Sequence, residues 1–145
     1  MSSYVIFTDG GASMPAGFCE QNGVHGIPMD YLLNETVYQF APGASETEAL
    51  CASFYDALRG GATVSTSQIT LFTYESIFTP ILEQGQDILY CCFSGGLSAT
   101  WQMAQQALET LKERFPERSL RFVDTRSAAA GLGVFVLQAV RNQQA

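Results

Sequence analysis

Apolar and polar positions fall in blocks along the chain, and each block predicts an element. Residues 4–7, YVIF, read as a buried strand ending in Thr8-Asp9-Gly10-Gly11-Ala12-Ser13. Residues 24–33, VHGIPMDYLL, read as a second extended segment. Pro28 excludes a central, fully paired place for it, because proline has no N–H to give. NETVYQF, 34–40, predicts a short strand or hairpin return. Residues 45–58 predict a helix: Ser45 and Glu48 have capping-box spacing, and Leu50, Phe54 and Leu58 recur every four residues. Gly60-Gly61 stops it, and ATVSTSQIT, 62–70, reads as a loop. A helix over 72–83 should bend or break at Thr79-Pro80.

A strand over 88–93 precedes the longest helix, 99–115, which Pro116 ends. A strand over 120–123 and a last helix over 127–140 follow, the helix weakened at its start by Gly131 and Gly133. Strands alternating with helices imply parallel βαβ units. The expected fold is therefore α/β, an open, mainly parallel sheet flanked by helices. At 145 residues it is most simply one domain.

Composition narrows the partners. The chain is 47% hydrophobic, enough for a real core, but no apolar run is long enough to cross a bilayer. The start, MSSYVIFTDGG, lacks the basic and apolar parts of a signal peptide, so a cytoplasmic location is the expectation. Net charge is -7 with Lys112 as the only lysine, which speaks against nucleic acid and anionic membranes. A small ligand or a protein is left. Cys19, Cys51, Cys91 and Cys92 match neither a zinc pattern nor a redox pair and read as reduced, buried thiols. Adjacent in a strand, Cys91 and Cys92 should point to opposite faces.

Three predicted strands end alike, in FTDGGAS, FSGGLSAT and VDTRSAA. In open parallel sheets ligands bind outside the carboxyl ends of the strands, which here would gather hydroxyls, glycines, Asp9 and Asp124 along one edge. Gly10, Ser94 and Asp124 should lie near that edge. Gly95 and Gly96 allow close backbone approach or a positive φ, Ser98 is a natural N-cap, and the helix start favours an anion. The same residues also serve as an ordinary cap and tight turn; the repetition at three strand ends favours a site. A second hydroxyl cluster, Ser65 to Gln68, is either a capping loop or a further set of donors. Asp9 and Asp124 have the chemistry of an acid/base pair or a Mg²⁺ site, but strand-end aspartates more often accept loop N–H groups. His25 lacks a nucleophile motif to serve, and Gly131-Leu132-Gly133 lacks the rest of a dinucleotide fingerprint.

At these residues the sequence resembles the DegV family of bacterial proteins. TDGGASM (8–14) is similar to the family's Thr-Asp-Ser-Ser-Ala-Asp-Leu, and TSQI (66–69) to its Thr-Ser-Gln-Pro. SGGLSAT (94–100) is similar to Ser-Ser-Gly-Leu-Ser-Gly-Thr, and VDTRSAAAGLG (123–133) to Val-Asp-Ser-Lys/Arg followed by small residues. The motifs keep family order across almost the whole chain. Serines give way to Gly10, Gly11 and Gly95, and the proline to Ile69, which shifts head-group chemistry towards Thr66, Ser67 and backbone N–H groups. The resemblance implies a two-domain fatty-acid-binding protein, some members of which present the acid to a separate fatty acid kinase. This chain corresponds to the N-terminal domain.

The expectation is thus a non-catalytic carrier of a long-chain fatty acid, without metal or cofactor, partnered by a fatty acid kinase protein. Thr66, Ser67, Ser94, Gly95 and Ser98 would bind the ligand. Ile27, Met29, Leu71 and Phe72 would line part of the tail's path. Without the family's second domain, acyl binding should be weak. The rivals are a small-ligand enzyme using the strand-end aspartates and a regulatory or scaffold domain that has lost lipid binding.

Overall fold

The structure is a computed structural model that describes residues 4–145, with Thr47 described by its backbone alone. Met1 to Ser3, part of the stretch read above against a signal peptide, lie outside the described residues. The chain runs β1 (Tyr4–Asp9), α1 (Phe18–Asn22), β2 (Val24–Ile27), β3 (Met29–Leu33), β4 (Thr36–Phe40), α2 (Thr47–Arg59) and β5 (Val64–Thr66). It continues through α3 (Leu71–Glu83), β6 (Asp87–Cys92), α4 (Thr100–Arg114), β7 (Leu120–Asp124) and α5 (Ala129–Gln144). The main sheet has the order β2-β1-β6-β7, and every pairing in it is parallel. All four carboxyl ends therefore lie along one edge, which carries Gly10, Ser94 and Asp124 as expected.

The sheet is covered on both faces, so its central strands are apolar on both sides. Phe7, Tyr90 and Cys92 face the larger core with Tyr74, Phe78 and Leu82 of α3 and Ala104, Ala107 and Leu111 of α4. Ile6 and Cys91 face the other, with Leu132, Val136 and Val140 of α5. The two cysteines thus point to opposite faces. Burial pushes the Cys91 thiol up to about 11, and that of Cys92 well above its ordinary value. Both are protonated and poorly nucleophilic.

A smaller antiparallel sheet, β4-β3-β5, stands apart from the main one. The single extended segment expected over 24–33 is two strands in two sheets. Pro28 occupies the step between them, where its missing N–H interrupts no ladder. Asn34 and Glu35 turn the β3–β4 hairpin at φ 47 and 66, the positive-φ pair that matches strand twist. The start of the STSQ stretch is strand rather than loop, since Ser65 pairs with Leu32 and Thr66 with Tyr31.

Two other local expectations change, and one element is new. The helix α2 begins at Thr47 with no side-chain cap; Ser45 instead donates to Glu20 Oε1 at 3.2 Å. Pro80 does not break α3, because it sits on the exposed side while Tyr74, Phe78 and Leu82 keep the buried stripe. The carbonyl it leaves without a donor, on exposed Ser76, is open to water. The short helix α1 has no sequence signal: at five residues it is set by Gly17 and Gly23, both left-handed.

A buried polar chain ties the layers together. Asp9 at the end of β1 accepts the Tyr90 hydroxyl at 2.6 Å, and the Tyr90 and Tyr74 hydroxyls are 2.9 Å apart. Tyr74 also donates to the Thr100 carbonyl at 3.4 Å, where α4 begins. Tyr90→Phe removes the middle of this chain and leaves Asp9 with one donor fewer. It should lower unfolding free energy by about 1–3 kcal/mol in urea titrations.

Candidate functional site

At the carboxyl edge of the main sheet lies a cleft of about 670 Å³, within the range of small-molecule sites. Its floor is the loop after β1, Gly10 to Ser13. One wall is the small sheet, with Met29 and Tyr31 of β3, Phe40 of β4 and Thr66 of β5, continued by Ser67 and Gln68. The second wall is α2, with Leu50, Cys51, Phe54 and Tyr55, and the third is Phe93 with Leu97, Ser98 and Ala99. The apolar stripe of α2 thus faces the cleft rather than the core. Phe54 meets Tyr31 edge-on with ring centroids 5.2 Å apart. Leu50, Tyr55 and Leu97 remain exposed at 36%, 54% and 69%.

The loops forming the edge are knitted to one another. Ala129 N–H donates to Gly11 O, Ser13 N–H to Ala129 O, and Ser94 N–H to Ser127 O. Gly10 N–H is taken by Ile27 O, Ala12 N–H by Asp9 O, and Leu97 and Ser98 N–H by Ser94 O. Asp9 is fully buried and accepts Gly11 N–H and Phe93 N–H, each at 2.9 Å, besides Tyr90. Asp124 accepts Gly95 N–H at 3.2 Å and Arg126 N–H at 3.0 Å. Both aspartates hold loops in place. Among the described residues no group of three or more His, Cys, Asp or Glu is placed to hold a metal ion.

Of the residues singled out in the sequence, Thr66, Ser67 and Ser98 line the cleft together. A short chain joins their loops: Ser98 Oγ donates to Thr100 Oγ1 at 2.9 Å, and Thr100 Oγ1 accepts Ile69 N–H at 3.5 Å. Ser98 lies one residue before the helix cap at Ala99, yet its hydroxyl still accepts the Thr100 N–H at 3.2 Å. Ser94 and Gly95 are not in the lining. Ser94 is buried and accepts Gly96 N–H at 3.2 Å, building the turn. Of the tail residues, Met29 lines the cleft, Ile27 is sunk in the core, Leu71 packs on the core and Phe72 is exposed outside it. His25 is exposed, with its ring centroid 4.9 Å from that of Phe7. Tyr31, Phe40 and the α2 residues were missed; the four-residue period of α2 was visible, but not which surface it faces.

Gly10, Gly11 and Gly95 are sites of close approach, and none has a positive φ. A Cβ on Gly10 would stand 2.9 Å from the Met29 side chain, one on Gly11 2.5 Å from Phe93, and one on Gly95 2.7 Å from Trp101. Large side chains fill the space. Gly11→Ala, which must displace the Phe93 ring, should cost about 1–3 kcal/mol of stability in chemical denaturation.

Burial raises the Asp9 carboxyl above its ordinary value, against the opposing effect of the Phe93, Tyr90 and Gly11 donors. A raised carboxyl pKa means that its contribution to stability is full below the unfolded value and is lost as pH rises through the folded one. The stability of wild type relative to Asp9→Asn should therefore fall between acid and neutral pH. Paired urea titrations across that range check the sign.

The sequence model of the DegV family matches residues 3–145. A DegV domain-containing protein of Clostridium perfringens is 33% identical over 141 residues, 97% of this chain and 47% of the relative. One from Lactococcus lactis is 31% identical over 140 residues. The chain thus spans about half the length of the curated relatives it matches. Among solved structures, a fatty-acid-binding DegV family protein from Thermus thermophilus superposes with TM-score 0.77 at 28% identity, over 99% of this chain and 48% of that one. A stearic-acid-binding protein from Eubacterium ventriosum superposes with TM-score 0.81 at 19% identity, over 97% and 47%, which bears on the fold alone. The match over residues 3–145, nearly the whole chain, makes this chain a member of the DegV family.

Proposed function

We propose that the chain is a lipid-binding, non-catalytic domain whose cleft receives a long-chain fatty acid. The observation that carries this reading is the cleft itself: apolar on α2, β3 and Phe93, with hydroxyls gathered on the β5 loop and at Ser98. An alkyl chain is stabilised by about 0.8 kcal/mol per methylene removed from water, so the tail dominates affinity and the head group sets orientation. The Thermus thermophilus relative, described as fatty-acid binding, supports the same ligand class. In this reading residues 1–145 form one α/β domain, equivalent to the N-terminal half of the longer relatives, that works in the cytoplasm. A fatty acid kinase would be the partner that takes the bound acid, and a second domain would cover Leu50, Tyr55 and Leu97 at the mouth.

Thr66 and Ser67 would contact the head group, with Ser98 beside them. Ser94 and Gly95 would act by shaping the turn before α4. Thr66→Val and Ser67→Ala should each weaken fatty-acid binding by about tenfold, in keeping with the loss of one hydrogen bond to a polar head. Ser94→Ala should do so by less. Calorimetric titration with a fatty acid checks the order, and a far larger loss from Ser94→Ala than from both loop changes would refute it.

A further inference from the structure

Helix α2 is held differently from the other long helices. α3, α4 and α5 each sink a stripe into a core: Tyr74, Phe78 and Leu82, then Ala104, Ala107 and Leu111, then Leu132, Val136 and Val140. Among the described residues of α2 no side chain is buried. The Ser53 hydroxyl bonds to Ala49 O and Leu50 O, and Arg59 pairs with Asp56, so these polar contacts stay within the helix. The chain is pinned just outside it. On one side Gly43 O accepts Gly17 N–H at 3.0 Å. On the other, Asn34 N–H donates to Thr63 O at 3.0 Å and Thr63 N–H to Asn34 Oδ1 at 3.1 Å. The exposed bond from Ser45 to Glu20 is a weak further tie. Glycines with positive φ stand beside these pins, Gly43 at 69° and Gly61 at 89°. A Cβ on Gly61 would meet nothing, so backbone conformation alone demands glycine there.

Across the cleft α2 touches the small sheet through Phe54, whose ring meets Tyr31 edge-on with centroids 5.2 Å apart. Tyr31 in turn stacks on Tyr38 at 5.5 Å. Rings in such contact leave no room for an alkyl chain between them. An acyl chain lying between the two walls must part them. Of the two, α2 moves at the lower cost, because lifting it uncovers no buried side chain. Resting on the lipid-binding reading, we propose that α2 is the lid of the cleft: it swings on Gly43 and Gly61, is latched by Phe54 on Tyr31, and closes over the acyl chain that has entered. A thirteen-residue helix lifted from its support is marginal in water, so α2 loses helix as it opens and regains it on closing.

Hydrogen exchange of the free chain, followed amide by amide, reads this opening without any ligand. The amides of α2 should exchange together, at least about hundredfold faster than those of Tyr74, Phe78 and Leu82 in α3. Phe54→Ala, which removes the latch, should speed α2 by about tenfold more and leave α3 unchanged. Gly61→Ala adds no clash but disfavours the left-handed hinge, and should speed α2 by about tenfold as well. Decanoic acid, added below its aggregation limit, should slow α2 selectively, in step with saturable shifts of the cleft amides. Protection of α2 equal to that of α3 in the free chain overturns the lid and leaves the fatty-acid reading standing. So does fast exchange that the acid leaves unslowed while it shifts the cleft amides. Saturable shifts that spare the cleft overturn the lipid reading, and the lid's role with it.

Discussion

The carboxyl of Asp9 is the group on which the rest of the structure depends. It is fully buried at the end of the central strand β1 and takes three donors, one each from Gly11, Phe93 and Tyr90. Unpaired, such a group would be costly to bury. Paired, it fixes the loop after β1 against the loop after β6, and through Tyr90 and Tyr74 it reaches the start of α4. The cleft floor is the outer surface of this arrangement. Its shape follows from these bonds.

The second constraint is space. Gly10 and Gly11 stand where Met29 and Phe93 come to within van der Waals contact of the backbone. Glycine here admits large apolar side chains to the strand edge, and the edge becomes a greasy floor instead of a row of hydroxyls. Polar character is displaced to the β5 loop and to Ser98. A lipid held here would lie with its tail over the glycines and its head towards Thr66 and Ser67.

Much of this was legible in the sequence. The parallel sheet, the common edge of Gly10, Ser94 and Asp124 and the opposed faces of Cys91 and Cys92 follow from periodicity and chain direction. The small sheet was only half visible, because Pro28 marks an interruption but not a change of sheet. The Ser45–Glu48 spacing misled, since a local cap competes with a longer-range partner, here Glu20. The α2 stripe had the right period, but period alone does not distinguish a core from a cleft wall. Thr66, Ser67 and Ser98 were named for their chemistry, and that two separate segments bring them to one cleft is a tertiary fact.

The central claim is that the acyl ligand occupies the cleft between α2, the small sheet and the strand edge. Amide chemical shifts of the isotopically labelled chain, followed as a medium-chain fatty acid is added, test it most directly. The account predicts saturable shifts at Gly10, Gly11, Tyr31, Phe54, Thr66 and Leu97, with α5 beyond Val136 unmoved. Saturable shifts confined to other surfaces would contradict it.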